Sequence, residues 1–121
     1  MWLFCKSGMF SAVKHNTKDK VILVRTRLEG DLEKLFKTHG MDNKYKATET
    51  PDADYRFRVE MDAEDWVKCV TEEAEDIDYG NFKNKVHDRT VRDSAYMECW
   101  YAMAQAQDEQ REKSLIKKRG W

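Results

Sequence analysis

Two kinds of apolar patterning divide the chain into a strand-rich first half and a helical second half. Alternation with β-branched or aromatic residues is typical of strands, and apolar residues three or four positions apart are typical of helices. Strands are predicted over Trp2 to Lys6, Met9 to His15, Val21 to Leu28, Tyr45 to Thr50 and Tyr55 to Met61. Short polar turns separate them, so we expect an antiparallel sheet of four to five strands.

Helical spacing predicts three helices. A short one starts at Gly30-Asp31 and stops at Gly40, inserted among the strands. The second follows a cap at Asp62, with an apolar side made of Trp66, Val67, Val70, Ala74 and Ile77. The third and longest runs from Thr90 to about Gln107. A sheet followed by two C-terminal helices is an α+β fold, and 121 residues suit one domain. Residues 108–121 are predicted to be a charged, fraying tail.

Composition excludes several classes of function. Charged residues make up 37% of the chain but nearly cancel at a net charge of -1, so no general attraction to a nucleic acid polymer or an anionic membrane is expected. There is no apolar run of about 18 residues. The three cysteines, Cys5, Cys69 and Cys99, lack disulfide or zinc spacing and indicate small apolar residues in a reducing compartment.

Arg25 and Arg27 are the first candidate binding residues. They lie two positions apart on one predicted strand, so both guanidinium groups project from the same face. Such a pair can grip two neighbouring phosphates. The alternative is that both pair with surface carboxylates. Arg56 and Arg58 repeat the spacing beside Glu60, on a face for which ordinary solvent exposure is the favoured interpretation.

The second candidate is the stretch from Ile77 to Lys83, which concentrates recognition chemistry between two predicted helices. Phe82 can stack on a base, which is worth about 1 to 3 kcal/mol. Asn81 can read a base edge or a ribose hydroxyl, and Lys83 can meet a phosphate, while Arg92 in the last helix is a further candidate. The alternative is that the aromatic residues anchor the core and Asn81 caps or turns the chain.

Catalytic and metal chemistry are not indicated. His15, His39 and His87 are far apart and have no metal-ligand spacing, and no cofactor motif is present. His87 beside Asp88 could form an acid/base pair, but an ordinary surface histidine is the commoner case. The acidic stretch from Glu72 to Asp78 is read as a solvated face. We therefore expect no enzyme, no catalytic residue, no metal site and no cofactor.

The chain resembles the phage and prophage Thoeris anti-defence proteins of the first type, a family of small sponges for cyclic ADP-ribose signals. The resemblance follows the order of motifs along nearly the whole chain, up to the charged stretch after Gln107. Its features are Trp2-Leu3-Phe4 with Phe10-Ser11, Val24-Arg25-Thr26-Arg27, Gly30-Asp31-Leu32-Glu33-Lys34-Leu35, the stretch from Ile77 to Lys83, and Trp100.

The resemblance implies a protein that sequesters glycocyclic ADP-ribose intact, in the cytoplasm of the infected bacterial host, and so blocks Thoeris signalling. It also implies a homodimer or hexamer, the larger assemblies binding cyclic trinucleotides as well. In that interpretation Phe82 stacks on the base, Asn81 reads polar groups, and Arg25, Arg27, Lys83 and Arg92 meet phosphate. Two alternatives stay open: a small phage enzyme that cleaves a cyclic nucleotide, and an inhibitor that binds a host protein.

Overall fold

The computed structural model describes residues 1–120 and confirms the predicted α+β architecture. One antiparallel sheet has the strand order β1-β2-β3-β5-β4, with four helices along the described chain. The strands are β1 (Trp2–Cys5), β2 (Gly8–Lys14), β3 (Val21–Thr26), β4 (Thr48–Glu49) and β5 (Phe57–Asp62). The helices are α1 (Asp31–Thr38), α2 (Ala63–Glu75), α3 (Phe82–Lys85) and α4 (Val91–Lys118).

The chain forms two compact units. The first extends from Met1 to Asp78 and contains the sheet with α1 and α2. The second begins at Tyr79 and contains α3 and α4. The organisation of residues 1–121 as a single domain stays a prediction.

The core of the first unit lies on one face of the sheet. Alternation along the strands directs one set of side chains to that face, where α1 and α2 cover it. The buried set consists of Cys5, Phe10, Ala12, Val24, Phe57, Val59 and Met61 from the strands, Leu32, Leu35, Phe36, Trp66 and Cys69 from the helices, and Met41 from the segment after α1. We call the other face, which carries Ser11, Val13, Leu23, Arg25 and Arg58, the open face. The core thus fixes which side chains face away from it.

The strand predicted over Tyr45 to Thr50 is shorter in the structure, where β4 contains only Thr48 and Glu49. Tyr45 explains the difference, because its ring packs 5.8 Å from that of Phe36 and its hydroxyl donates to Asp65. A side chain held in this way between α1 and α2 keeps the backbone from running along β5. The extended segment therefore begins only at Thr48.

The apolar side predicted for α2 was partly wrong. Trp66 and Cys69 are buried, but Val67 and Ile77 are 61% and 59% exposed, and Glu73 takes a buried position instead. The last helix is longer than predicted, since α4 continues past Gln107 to Lys118. The charged residues there are good helix formers, which explains the extension. Fraying of residues 108–121 stays a prediction.

The three cysteines differ in environment. Cys5 and Cys69 are buried and Cys99 is exposed. Burial raises the pKa of Cys5 to about 11 and that of Cys69 to about 12, so these two thiols stay protonated and unreactive at neutral pH. Within residues 1–120 no helix has the length and apolar character needed to cross a membrane.

Candidate anion-binding site

The sheet register places two arginines side by side on the open face. Arg25 of β3 is opposite Ser11 of β2 on one side and opposite Arg58 of β5 on the other. Thr48 of β4 continues the row, opposite Arg58. Neighbouring strands lie about 4.8 Å apart, so the two guanidinium groups occupy adjacent positions on one surface.

Tyr55 holds Arg25 and Arg27 in place. The guanidinium carbons lie 4.4 Å and 4.1 Å from the centroid of its ring, within cation–π distance, and Tyr55 is only 4% exposed. Arg25 Nη2 donates a 2.9 Å hydrogen bond to Ser11 Oγ, and Arg27 Nη1 donates a 2.8 Å bond to the carbonyl oxygen of Asp54. Both arginines are therefore pre-organised by neutral partners.

Arg25, Arg27 and Arg58 form no ion pair with any carboxylate of residues 1–120. The Nε atoms of Arg25 and Arg58 are buried and have no hydrogen-bond acceptor in that part of the chain. Arg56 shows the contrast, because its Nη2 lies 2.6 Å from a carboxylate oxygen of Glu49. Pairing with surface carboxylates thus describes Arg56 and does not describe Arg25 or Arg27.

The positive charge of this cluster acts on Tyr55. A hydrogen bond with Ser11 lowers the pKa of the Tyr55 phenol, and the charges of Arg27 and Arg25 lower it further against the opposing effect of burial. Positive charges that stabilise the phenolate oxygen of Tyr55 can also stabilise a negatively charged oxygen of a ligand bound nearby. The cluster of Ser11, Arg25, Arg27, Tyr55 and Arg58, which we call the arginine cluster, is a candidate site for an anion.

Three members of the cluster, Ser11, Tyr55 and Arg58, were not predicted as binding residues. In a strand from Tyr55 to Met61, alternation would place Tyr55 on the same side as Phe57 and Val59. Its ring instead contacts the arginines, because β5 begins only at Phe57 and the alternation does not extend back to Tyr55. Arg58 was read as part of a solvated face. The signal that reveals it is its register with Arg25, which a single sequence does not contain.

In the second unit, Asn81 and Lys83 have structural partners. Asn81 Oδ1 accepts a 3.1 Å hydrogen bond from the backbone N–H of Asn84 and so caps the N-terminus of α3. Lys83 Nζ lies 4.4 Å from the ring centroid of Trp100. The capping alternative therefore holds for Asn81, and a ligand role for either residue stays a prediction.

Phe82 packs in an aromatic cluster. Its ring centroid is 5.9 Å from that of Tyr79 and 5.9 Å from that of Tyr96, the latter stacked at 22°. Phe82 is half-buried, which leaves part of the ring accessible. Arg92 Nη1 donates a 3.3 Å hydrogen bond to the Tyr96 hydroxyl, and Arg92 Nε lies 3.5 Å from Asp88. Base stacking by Phe82 and phosphate contact by Arg92 stay predictions.

The prediction that the acidic stretch from Glu72 to Asp78 forms a solvated face was wrong for Glu73, which is buried. His39 bridges two carboxylates, with Nδ1 2.8 Å from Glu72 Oε2 and Nε2 2.9 Å from Glu73 Oε1. Ser7 Oγ also donates to Glu73 Oε1. A carboxylate can only accept, so this arrangement suits a positively charged imidazole with both nitrogens protonated. These hydrogen bonds join the β1–β2 turn to the end of α1 and to α2, and both His39 and Glu73 are buried.

His87 does not pair with its neighbour in sequence. Its Nδ1 lies 2.6 Å from Asp93 Oδ2 on α4, whereas Asp88 accepts hydrogen bonds from Thr90. His87 and Asp93 line a cavity of about 510 Å³ that is shared with Lys83. No group of three or more His, Cys, Asp or Glu residues placed to hold a metal ion occurs within residues 1–120.

Comparison of the chain with protein-family models, curated proteins and solved structures finds no match.

Proposed function

We propose that the protein binds a cyclic ADP-ribose signalling nucleotide, glycocyclic ADP-ribose above all, and sequesters it without cleaving it. In this proposal capture of the signal blocks Thoeris immunity in the cytoplasm of the infected bacterial host. The observation that supports it most is the arginine cluster, with three guanidinium groups on one face that have no carboxylate partner within residues 1–120.

The chemistry of the ligand matches the cluster. A diphosphate presents adjacent charged oxygens, and each guanidinium offers a planar fork of donors that fits a phosphate with two hydrogen bonds. Each charge-assisted hydrogen bond contributes about 1.5 to 3 kcal/mol. Since Tyr55 already holds Arg25 and Arg27, less side-chain freedom is lost on binding than for two mobile arginines.

Sequestration requires affinity rather than turnover. To compete with a receptor the protein should bind with a dissociation constant near 1 nM, which corresponds to about -12 kcal/mol. The proposal includes self-association as a homodimer or hexamer, and binding of cyclic trinucleotides by the larger assembly. Exposed apolar side chains on α4 support self-association: Trp100 is 49%, Tyr101 58% and Met103 72% exposed.

The test is calorimetric titration of the purified protein with cyclic ADP-ribose isomers and with linear ADP-ribose. Arg25→Ala and Arg27→Ala should each weaken binding roughly 10- to 150-fold, the equivalent of one or two lost charge-assisted hydrogen bonds. Arg56→Ala is the matched control, because Arg56 lies two positions before Arg58, directly ahead of β5, but pairs with Glu49. Equal affinities in all three variants would exclude the arginine cluster as the binding site.

Release of the ligand separates sequestration from cleavage. Heat denaturation of the saturated complex should return the nucleotide chemically intact, in an amount equal to that bound. A degraded product would exclude sequestration.

One observation supports a second candidate function, cleavage of a cyclic nucleotide. His87 and Asp93 form a close pair beside Lys83 in a cavity of about 510 Å³, and such a pair can act as a general base. That function predicts that one protein molecule consumes many ligand molecules. His87→Ala should then abolish consumption, whereas Asp88→Ala, which leaves the close pair in place, should retain it.

A further inference from the structure

A cavity of about 810 Å³ lies beside the arginine cluster in the first unit. Its size falls within the range of small-molecule sites, about 300 to 1,000 Å³. Its lining includes the apolar Val13 and Leu23 and the cationic Lys14, Lys44, Lys46 and Arg58. Arg58 belongs to both the cavity and the arginine cluster, so the two are continuous.

The cavity has an apolar floor on the open face. Val13 of β2 and Leu23 of β3 are register partners, two positions along the sheet from the row of Ser11, Arg25 and Arg58. Two residues along a strand span about 6.6 Å. Val13 is 37% exposed, so part of its apolar surface is accessible to a ligand.

The charges around the cavity leave a positive excess. Lys44 is neutralised by Asp62 and Asp65, at 3.0 Å and 2.8 Å. Glu60 is engaged by Lys18 at 2.7 Å and by His15 at 2.8 Å. Ion pairs therefore neutralise Lys44 and Glu60 and leave the other charged side chains of the lining uncompensated.

Three cations remain. Lys14, Lys46 and Arg58 have no carboxylate partner within residues 1–120. A cavity whose lining combines apolar side chains with three uncompensated cations fits a ligand that is both planar and anionic. That combination is the chemistry of a nucleotide.

The neighbouring edge of β5 offers main-chain groups as well. The Arg56 carbonyl and the Asp62 N–H bond to Thr50 and Tyr45 on the β4 side of the strand. Alternate residues of a strand direct their main-chain groups to the same edge, so Glu60 also points to that side. Pairing with β4 extends only to Arg58, which leaves the Glu60 amide and carbonyl next to the cavity without a strand partner in the described chain.

We propose that this cavity holds the base and ribose of the ligand whose phosphates lie on the arginine cluster, with Arg58 contacting the phosphate nearest the ribose. The inference rests on the proposed function and assigns the nucleoside part of the ligand to Val13, Leu23 and Lys46. The ring lies on Val13 and Leu23, in place of the stacking predicted for Phe82, and Lys46 faces the sugar-phosphate edge.

The test compares three probes, inorganic pyrophosphate, AMP and cyclic ADP-ribose, by calorimetry. The double variant Val13→Gln/Leu23→Gln keeps the charge and removes the apolar floor. The double variant should lower the affinity for AMP and for cyclic ADP-ribose at least tenfold and leave the affinity for pyrophosphate within twofold of the wild type. The matched control is Val67→Gln/Ile77→Gln, which changes two exposed apolar residues elsewhere in the first unit.

A second variant guards against misfolding of the first. Lys46→Ala changes an exposed side chain and should weaken AMP at least threefold. If both cavity variants bind AMP and cyclic ADP-ribose like the wild type, or if AMP does not bind at all, the cavity assignment is overturned. The proposed function fails separately, when the wild type binds none of the cyclic ADP-ribose isomers.

Discussion

Arg25 and Arg58 lie opposite each other on β3 and β5, and the Nε atom of each is buried without a hydrogen-bond acceptor in the described chain. Like charges directly opposite on neighbouring strands destabilise a sheet. A buried donor without an acceptor adds a cost of about 1 to 3 kcal/mol. The opposed charges and the unpaired donors thus lower the stability of the first unit at this position. An anionic ligand would offset both effects.

Arg58→Leu is therefore expected to stabilise the free protein while impairing ligand binding. Loss of the opposed charge and of the unpaired Nε should raise the free energy of unfolding by about 1 kcal/mol. Affinity for cyclic ADP-ribose should fall roughly 10- to 150-fold. Urea denaturation and calorimetry measure the two effects. Arg56→Leu, which loses an ion pair with Glu49, should not gain stability, and a destabilised Arg58→Leu would contradict the explanation.

The Tyr55 phenol should report occupancy of the arginine cluster. Its pKa lies below the ordinary value because of the bond with Ser11 and the charges of Arg27 and Arg25. A bound phosphate neutralises those charges, so binding should raise the pKa towards the ordinary value of about 10. The measurement is the ultraviolet absorbance of phenolate against pH, as a difference between wild type and Tyr55→Phe. An unchanged titration in saturating ligand would place the anion elsewhere.

His39→Ala should strongly destabilise the first unit. The substitution leaves the buried carboxylate of Glu73 without its cationic partner, and breaking a buried ion pair from one side costs about 3 to 5 kcal/mol. Urea denaturation measures the loss. Lys44→Ala is the control, since its ion pairs with Asp62 and Asp65 are exposed and worth at most about 1 kcal/mol. Similar losses in both variants would show that the buried network adds little.

Substitutions of Asn81 distinguish capping from ligand readout. Asn81→Ala removes the acceptor for the N–H of Asn84 and should lower stability by about 0.5 to 2 kcal/mol, whereas Asn81→Asp keeps a capping oxygen and should retain it. Thermal unfolding gives the stability, and calorimetry gives the affinity for cyclic ADP-ribose. If Asn81 serves only as a cap, neither variant loses affinity. Weaker binding by Asn81→Asp, with stability intact, would instead assign the amide to the ligand.

Much of the fold could be predicted from local patterns. Alternation in Val21 to Leu28 locates β3, and helical spacing around Leu32 and Leu35 locates α1. These patterns work because local geometry alone decides which side chains share a face. The prediction failed where a distant contact overrides local preference, as when Tyr45 is held by Phe36 and Asp65 and shortens β4.

The candidate site was predictable only in part. The spacing of Arg25 and Arg27 puts both on one face without any knowledge of their neighbours. The same spacing could not reveal Arg58, because its position beside Arg25 depends on strand register. It could not reveal the contact of the Tyr55 ring with Arg25 and Arg27 either, because that contact depends on where β5 begins. For Asn81 and Phe82 the residue types suggested recognition, while their packing partners lie three to fourteen positions further along the chain.

The sequence by itself determined the α+β class, the two faces of each strand and the near-neutral net charge, since these follow from the order of side chains along a backbone of fixed geometry. Tertiary structure alone decided which charges are paired. Glu73 and His39 meet across 34 positions of sequence, and Arg25 and Arg58 meet across 33 without a carboxylate between them. Coulombic energy depends on distance in space, so the unpaired arginines became visible only when the strands were aligned.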